Sequence, residues 1–212
     1  MQGQIDYPQA LTAKYQPQTL EQFIGLEKPK RILAKFAERP YAHSFLFVGP
    51  SGTGKTTMAL ALAKKLQGEV LYIPSQHCTV ADVEEAIRRC WFVPMTPGGF
   101  HVVLVDEADQ MTDKAQLLFL SKLDATARPP QTIFIFTCND TANLEPRFLS
   151  RCLRVEFSNY GRLATDASAF LANVWQQEAP EAPQPNFDKL IKDSRNNLRD
   201  ALTRLESKLL SA

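Results

Sequence analysis

The residues Gly49-Pro50-Ser51-Gly52-Thr53-Gly54-Lys55-Thr56 satisfy the pattern G-x-x-x-x-G-K-[ST]. Glycines at this spacing let successive backbone N–H groups turn inward around an anion, at the positive end of the helix that follows. Lys55 then reaches the β- and γ-phosphates of a nucleoside triphosphate as a point charge. Thr56 supplies a hydroxyl for Mg²⁺, and Thr57 follows it in the same first turn. A glycine-rich turn that binds nothing is the bland alternative, but the flanks fit the motif. Ser44 to Val48 is a short apolar run, and Met58, Leu60, Leu62 and Leu66 continue at helical positions until Gly68 stops them.

A second group of reactive residues leaves another apolar run. Val102-Val103-Leu104-Val105 leads into Asp106-Glu107-Ala108-Asp109, about fifty residues beyond the glycine loop. Asp106 is placed to hold the water shell of Mg²⁺, and Glu107 to orient or deprotonate an attacking water. A third run ends at Thr137-Cys138-Asn139-Asp140, where Asn139 either senses the γ-phosphate or simply begins a turn. Ser150-Arg151-Cys152 follows. If Arg151 sits at the far edge of the sheet, it cannot reach a phosphate in its own subunit, and it serves a neighbour's site as an arginine finger. Arg147 is the competing candidate, and a surface salt bridge the bland reading.

The elements that must position these groups are legible as alternating strand and helix patterns, which point to a parallel α/β sheet. Strand-like runs cover Ser44 to Val48, Glu69 to Ile73, His101 to Val105, Gln131 to Thr137 and Leu153 to Phe157. Helical spacing covers Lys28 to Ala37, the segment from Lys55, Val80 to Cys90 and Thr112 to Asp124, while Pro94 to Gly99 reads as a loop. Beyond Ser158 strand signals cease, and amphipathic helices are expected over Arg162 to Gln176 and Asn197 to Leu210, separated by the proline-rich stretch Glu178 to Asn186. The expected division is a nucleotide-binding domain over 1–158 and a three-helix lid over 159–212.

With 212 residues, 44% of them hydrophobic, the chain can bury a sizeable core. Lys and Arg number 24 against 23 Asp and Glu, a net charge of +1 that excludes a uniformly basic nucleic-acid binder. The apolar runs are too short to cross a bilayer, and the polar first twenty residues carry no signal-peptide stretch. Cys78, Cys90, Cys138 and Cys152 lack CxxC spacing, so they read as buried thiols of a reduced, cytoplasmic protein rather than as zinc ligands.

These elements in this order resemble the AAA+ ATPases, and within them the clamp-loader clade of replication factor C small subunits and the bacterial DNA polymerase III gamma/tau and delta-prime type. The resemblance runs from about Leu11 to about Glu206. It implies a P-loop fold with a five-stranded parallel sheet flanked by helices, plus the helical lid. The clade's Lys-Tyr-Arg-Pro and Val-Gly-Gln-Glu segments, which form its adenine pocket, appear here as Lys14-Tyr15-Gln16-Pro17 and Ile24-Gly25-Leu26-Glu27. The resemblance therefore assigns Tyr15, Pro17, Ile24 and Gly25 to the nucleotide. The Asp-Glu-Ala-Asp box, the sensor asparagine (Asn139) and the Ser-Arg-Cys finger are matched outright. Ala115-Gln116 match a pair that couples DNA contact to the ATP site, whereas Leu120 and Ser121 replace two basic residues. Asn197 to Leu202 is similar to the second sensor segment, which makes Arg199 the γ-phosphate contact, with Arg195 the alternative.

The resemblance further implies ATP and Mg²⁺ as cofactors and hydrolysis at an interface with other AAA+ subunits, in a homo- or hetero-oligomer that is a pentamer in that clade. It implies a sliding clamp loaded onto primer–template DNA, touched through its phosphate backbone, with 75–83 and 114–116 as candidate contacts by position. The collar of clamp-loader subunits and the four-cysteine zinc module of the bacterial polymerase III motor subunits have no counterpart here, so a partner supplies the collar, the modules assemble alone, or the chain is a reduced form such as a phage encodes. The alternative is an AAA+ ATPase that remodels a protein without DNA. No aromatic pore-loop motif stands out between the second strand and the acid box, which disfavours polypeptide threading. A nucleotide-gated scaffold is disfavoured by the complete acid pair.

Overall fold

The computed structural model of the chain describes residues 9–74, 78–158 and 163–211. Two compact units are present: one over 18–158, the other combining 159–212 with the N-terminal segment through Pro17. The strands are β1 (His43–Val48), β2 (Glu69–Ile73), β3 (His101–Val105), β4 (Thr132–Cys138) and β5 (Leu153–Glu156). They form one parallel sheet in the order β2-β3-β4-β1-β5. Strand β4 therefore separates β1, which feeds the glycine loop, from β3, which feeds the acid box.

The central strands are buried on both faces, which is why they read as continuous apolar runs rather than alternating ones. Leu46, Val48, Val103, Val105, Phe134 and Phe136 point to one face and pack with α4 (Val80–Arg89) and α5 (Asp113–Leu123). Phe45, Phe47, Val102, Leu104, Ile133 and Ile135 point to the other and pack with α2 (Glu27–Glu38) and α3 (Lys55–Lys65). The remaining short helix of this unit is α6 (Pro146–Leu149).

Local chemistry sets the element ends. At the start of α4 the Thr79 side chain accepts the N–H of Asp82 in a capping box, and Thr112 accepts the N–H of Ala115 in the same way at α5. The end of α3 differs from the sequence expectation. Gln67, not Gly68, takes the left-handed conformation (φ 51°), with Gly68 N–H bonded to Ala63 O and Gln67 N–H to Lys64 O. Gly68 is required by packing instead, since a Cβ there would lie 2.6 Å from Val102 Cγ2.

The second unit contains α1 (Leu11–Lys14), α7 (Leu163–Glu178), α8 (Phe187–Asp193) and α9 (Leu198–Leu209) around Leu11, Leu171, Trp175, Ile191, Leu202 and Leu205. Residues 9–17, placed from the sequence with the nucleotide-binding domain, thus group with the helices. Leu11 is buried in the helical core, and its N–H bonds Glu206 Oε1 at 3.2 Å. Arg162, expected to start α7, lies outside the described residues. Among the described residues, no helix is long and apolar enough to cross a membrane.

Candidate nucleotide-binding and catalytic site

In an open parallel sheet, groups that leave the carboxyl ends of adjacent strands converge in one crevice. The loop from Gly49 to Gly54 leaves β1, Asp106 and Glu107 leave β3, and Asn139 leaves β4. Gly49 passes so close to Phe157 that a Cβ would fall 2.2 Å from its carbonyl oxygen. Gly54, with φ 88°, is the N-cap of α3 and turns the chain into the helix. The Lys55 ammonium, on a mostly buried stem, donates to Gly49 O at 2.7 Å, Pro50 O at 2.9 Å and Asn139 Oδ1 at 3.1 Å. It is held at the centre of the loop by carbonyl oxygens. Pro50 and Ser51 are exposed at the loop's rim, Gly52 and Thr57 are half-buried, and Thr53 closes the turn by donating to Pro50 O at 2.8 Å.

The Thr56 hydroxyl donates to Asp106 Oδ1 at 2.6 Å. Two hard oxygen donors on adjacent elements fit Mg²⁺, which would neutralise charge on the bound phosphates. Asp106 is fixed by further neighbours: the Thr137 hydroxyl also donates to Oδ1, and the Tyr72 hydroxyl donates to Oδ2 at 3.1 Å. Burial and the Asp106 carboxylate push the Tyr72 hydroxyl above its ordinary pKa. Glu107 sits in the left-handed region (φ 51°), and its N–H bonds Thr137 Oγ1 at 3.1 Å. A glutamate held at that unfavourable backbone angle is aimed by its surroundings.

Arg151 occupies the other end of the sheet. It precedes Leu153, which pairs with Phe45, so it stands level with the start of β1. About six strand residues at roughly 3.3 Å each separate that level from the glycine loop, on the order of 20 Å. Its guanidinium donates from Nε to Asp124 Oδ1 at 2.7 Å, from Nη2 to Asp124 Oδ2 at 3.3 Å and from Nη1 to Arg147 O at 2.9 Å. The Arg151 guanidinium holds the Asp124 carboxyl below its usual range. The Arg147 side chain is exposed and lies 3.8 Å from Glu145.

Ile24 and Gly25 belong to the sheet unit, and Gly25 and Leu26 both take positive φ ahead of α2. Tyr15 and Pro17 belong to the helical unit. There the Tyr15 hydroxyl donates to Gln177 Oε1 at 3.0 Å and to Glu178 Oε1, and burial together with Glu178 pushes its pKa up to about 12. Arg199 is exposed at the start of α9, whose N-cap Asn197 accepts the N–H of Asp200; Arg195 is exposed in the preceding turn. Of the residues considered for DNA, 75–77 lie outside the described residues, and Lys114 is exposed on α5.

The glycine loop, the acid pair and Asn139 stand on three neighbouring strand tips. Residues 45–160 match the profile of the ATPase family associated with various cellular activities. The chain belongs to the AAA family. Among relatives of this AAA chain is the replication factor C small subunit of Methanocella arvoryzae, 29% identical over 92% of this chain and 62% of that protein. Replication factor C subunit 3 of Blastobotrys adeninivorans is 33% identical over 92% of this chain and 58% of its own length. The AAA chain thus spans about six-tenths of the length of these relatives. In fold it is similar to a Thermotoga maritima RuvB variant, with TM-score 0.76 and 21% identity over 93% of this chain and 65% of the other.

Sequence reading of the AAA chain passed over three features. Thr137 and Tyr72 orient the acid pair, but a threonine or tyrosine in a strand carries no periodic signal that separates it from ordinary strand residues. The third is an apolar patch after α4: Trp91, Phe92, Val93 and Met95 are exposed, Val93 by 84% and Met95 by 88%. Buried His101 anchors it, with Nε2 2.9 Å from Phe92 O. A run of bulky apolar residues outside any element was its available signal. The four thiols are buried or half-buried and free. Burial pushes Cys138 and Cys152 up to about 12 and Cys78 and Cys90 up to about 11, so none is a nucleophile at neutral pH.

Proposed function

We propose that this chain is the ATP-hydrolysing module of a clamp-loader-like assembly, with each active site shared between two subunits. The observation that carries the reading is the separation of charges along the sheet: Lys55, Thr56, Asp106, Glu107 and Asn139 gather at the carboxyl ends of β1, β3 and β4, while Arg151 stands at the opposite end. One subunit binds ATP through Gly49 to Thr57, orients the attacking water with Glu107 and reads the γ-phosphate with Asn139. The adjoining subunit inserts Arg151. The chemistry rests on positioning and charge stabilisation, because phosphoryl transfer leaves little covalent work to the protein. Ile24 and Gly25, which belong to the same unit as the glycine loop, are assigned to the base. Likeness of the chain to replication factor C subunits supports this assignment.

The energy of hydrolysis is spent on placing a sliding clamp on primed DNA. The patch of Trp91, Phe92, Val93 and Met95 is the surface we assign to the clamp. A cluster of exposed aromatic and aliphatic side chains is the composition of an interface hot spot rather than of solvated surface. DNA is held by its phosphates from helix N-termini and scattered basic residues, with strong salt dependence and little sequence preference.

The test is the ATPase rate of the assembled protein with and without primed DNA and clamp. Stimulation by the two together supports clamp loading. Stimulation by an unfolded polypeptide alone, with no response to DNA, supports the remodelling alternative. Arg151→Ala should leave nucleotide affinity intact while lowering turnover of the assembly by roughly 10³-fold or more, as loss of a trans-acting arginine does. An isolated subunit as fast as the assembly rules out the shared site.

A further inference from the structure

A finger that acts on another subunit's phosphate is carried on a long side chain with several rotatable bonds, at a surface where nothing in the active site restrains it. In this chain the restraint is local. Asp124 is the first residue beyond α5, and its carboxylate engages the Nε and Nη2 edge of Arg151 in the paired geometry that fixes a guanidinium's plane. The carbonyl of Arg147, one helical turn back, accepts from Nη1. Three of the five N–H donors are thereby used, while the side chain remains 32% exposed. The platform beneath is itself tied down: Arg128 donates to the carbonyls of Ala42, just before β1, and of Leu123, just before Asp124.

We propose that Asp124 is the positioning residue of the trans-acting arginine, holding the guanidinium in one orientation before the neighbouring subunit arrives. This rests on the shared-site reading above. An arginine ordered in advance loses less rotamer freedom when the interface closes, and a trans-acting group is effective only within a narrow range of geometry. The carboxylate takes the side edge of the guanidinium and leaves its permanent charge in place.

Mixed assemblies separate this role from a structural one. A Lys55→Ala chain supplies fingers but no working nucleotide site, and an Arg151→Ala chain supplies the site but no finger. Turnover restored by mixing them comes only from pairs in which the first chain serves the second. Adding Asp124→Ala to the finger donor is expected to lower restored turnover at saturating ATP roughly tenfold, the equivalent of one long side chain left to be ordered. The same change on the nucleotide-site donor, which no longer has a finger to position, gives no comparable loss. An equal loss from either chain makes Asp124 a general stabiliser of the fold and overturns the proposal. Unchanged or increased turnover overturns it as well. If mixing the two single variants restores nothing, the shared-site reading fails first, a result distinct from any effect of Asp124.

Discussion

Lys55, Glu107 and Thr137 act at single-atom range. The Lys55 ammonium sits among the carbonyls that line the loop, and Lys55→Ala removes that charge. Binding of a fluorescent ATP analogue should then fall below detection while the far-UV spectrum is unchanged. Glu107→Gln keeps the side chain's size and its backbone bond to Thr137 but removes the base. Nucleotide affinity is expected to persist and turnover to fall by roughly 10²–10⁴-fold, the range for loss of a general base. Thr137→Val deletes the hydroxyl that donates to Asp106 and accepts from Glu107. Loss of that acceptor for the Glu107 N–H costs about 1–3 kcal/mol. A rate loss of tenfold or more at saturating Mg²⁺ and ATP would show that this cost falls on catalysis.

At the scale of elements, Gln116 ties α5 to the segment that follows Asn139. It is buried, donates to Asn143 O at 2.9 Å and accepts the N–H of Glu145 at 3.0 Å. These two bonds tie α5 to the loop that begins at Asn139. Gln116→Leu leaves the Glu145 N–H and the Asn143 carbonyl without these partners, so a loss of about 1–3 kcal/mol and a drop in melting temperature of roughly 2–10 °C are expected. Further along α5, Leu120 is buried in the core and the Ser121 hydroxyl bonds Leu118 O. On the loop after α4, a paired Phe92→Ser and Val93→Ser change should weaken clamp binding in a pull-down at least tenfold while leaving ATP-analogue affinity unchanged. The side chains concerned are exposed, and their removal uncovers no core.

Stability of the whole molecule is linked to ligand and to pH. A ligand that binds only the folded state at a hundred times its Kd adds about 2.7 kcal/mol, so a non-hydrolysable ATP analogue with Mg²⁺ should raise the melting temperature by roughly 5–10 °C. The rise should vanish in Lys55→Ala. His43, at the start of β1, is packed among Phe36, Tyr41 and Phe45, with its buried Nε2 lacking a hydrogen-bond partner among the described residues. Burial, then the nearby Arg128 cation, lowers its pKa below the usual 6.5. Below that pH the unfolded chain binds a proton that the folded chain resists, so this contribution to stability is present above pH 6.5 and is lost as the pH falls. Denaturant midpoints at about pH 7.5 and 5.5 should differ, and the difference should shrink in His43→Gln.

The sequence by itself determined the glycine loop, the acid box and the asparagine that follows the third apolar run, and with them the alternating order of strands and helices. Those features are local: a backbone that must approach a phosphate demands glycine at fixed positions, and a strand buried on both faces demands an unbroken apolar run. Strand ends shifted by a residue or so, as with β4 reaching Cys138, because hydrogen bonding with neighbours rather than side-chain type decides where a ladder stops. Only the tertiary structure decided that β4 lies between β1 and β3, which brings Thr137 beneath both acids, and that Asp124 meets Arg151 across 27 positions of sequence. Such contacts follow from strand order and helix return, which pair residues through space without leaving any periodic mark along the chain.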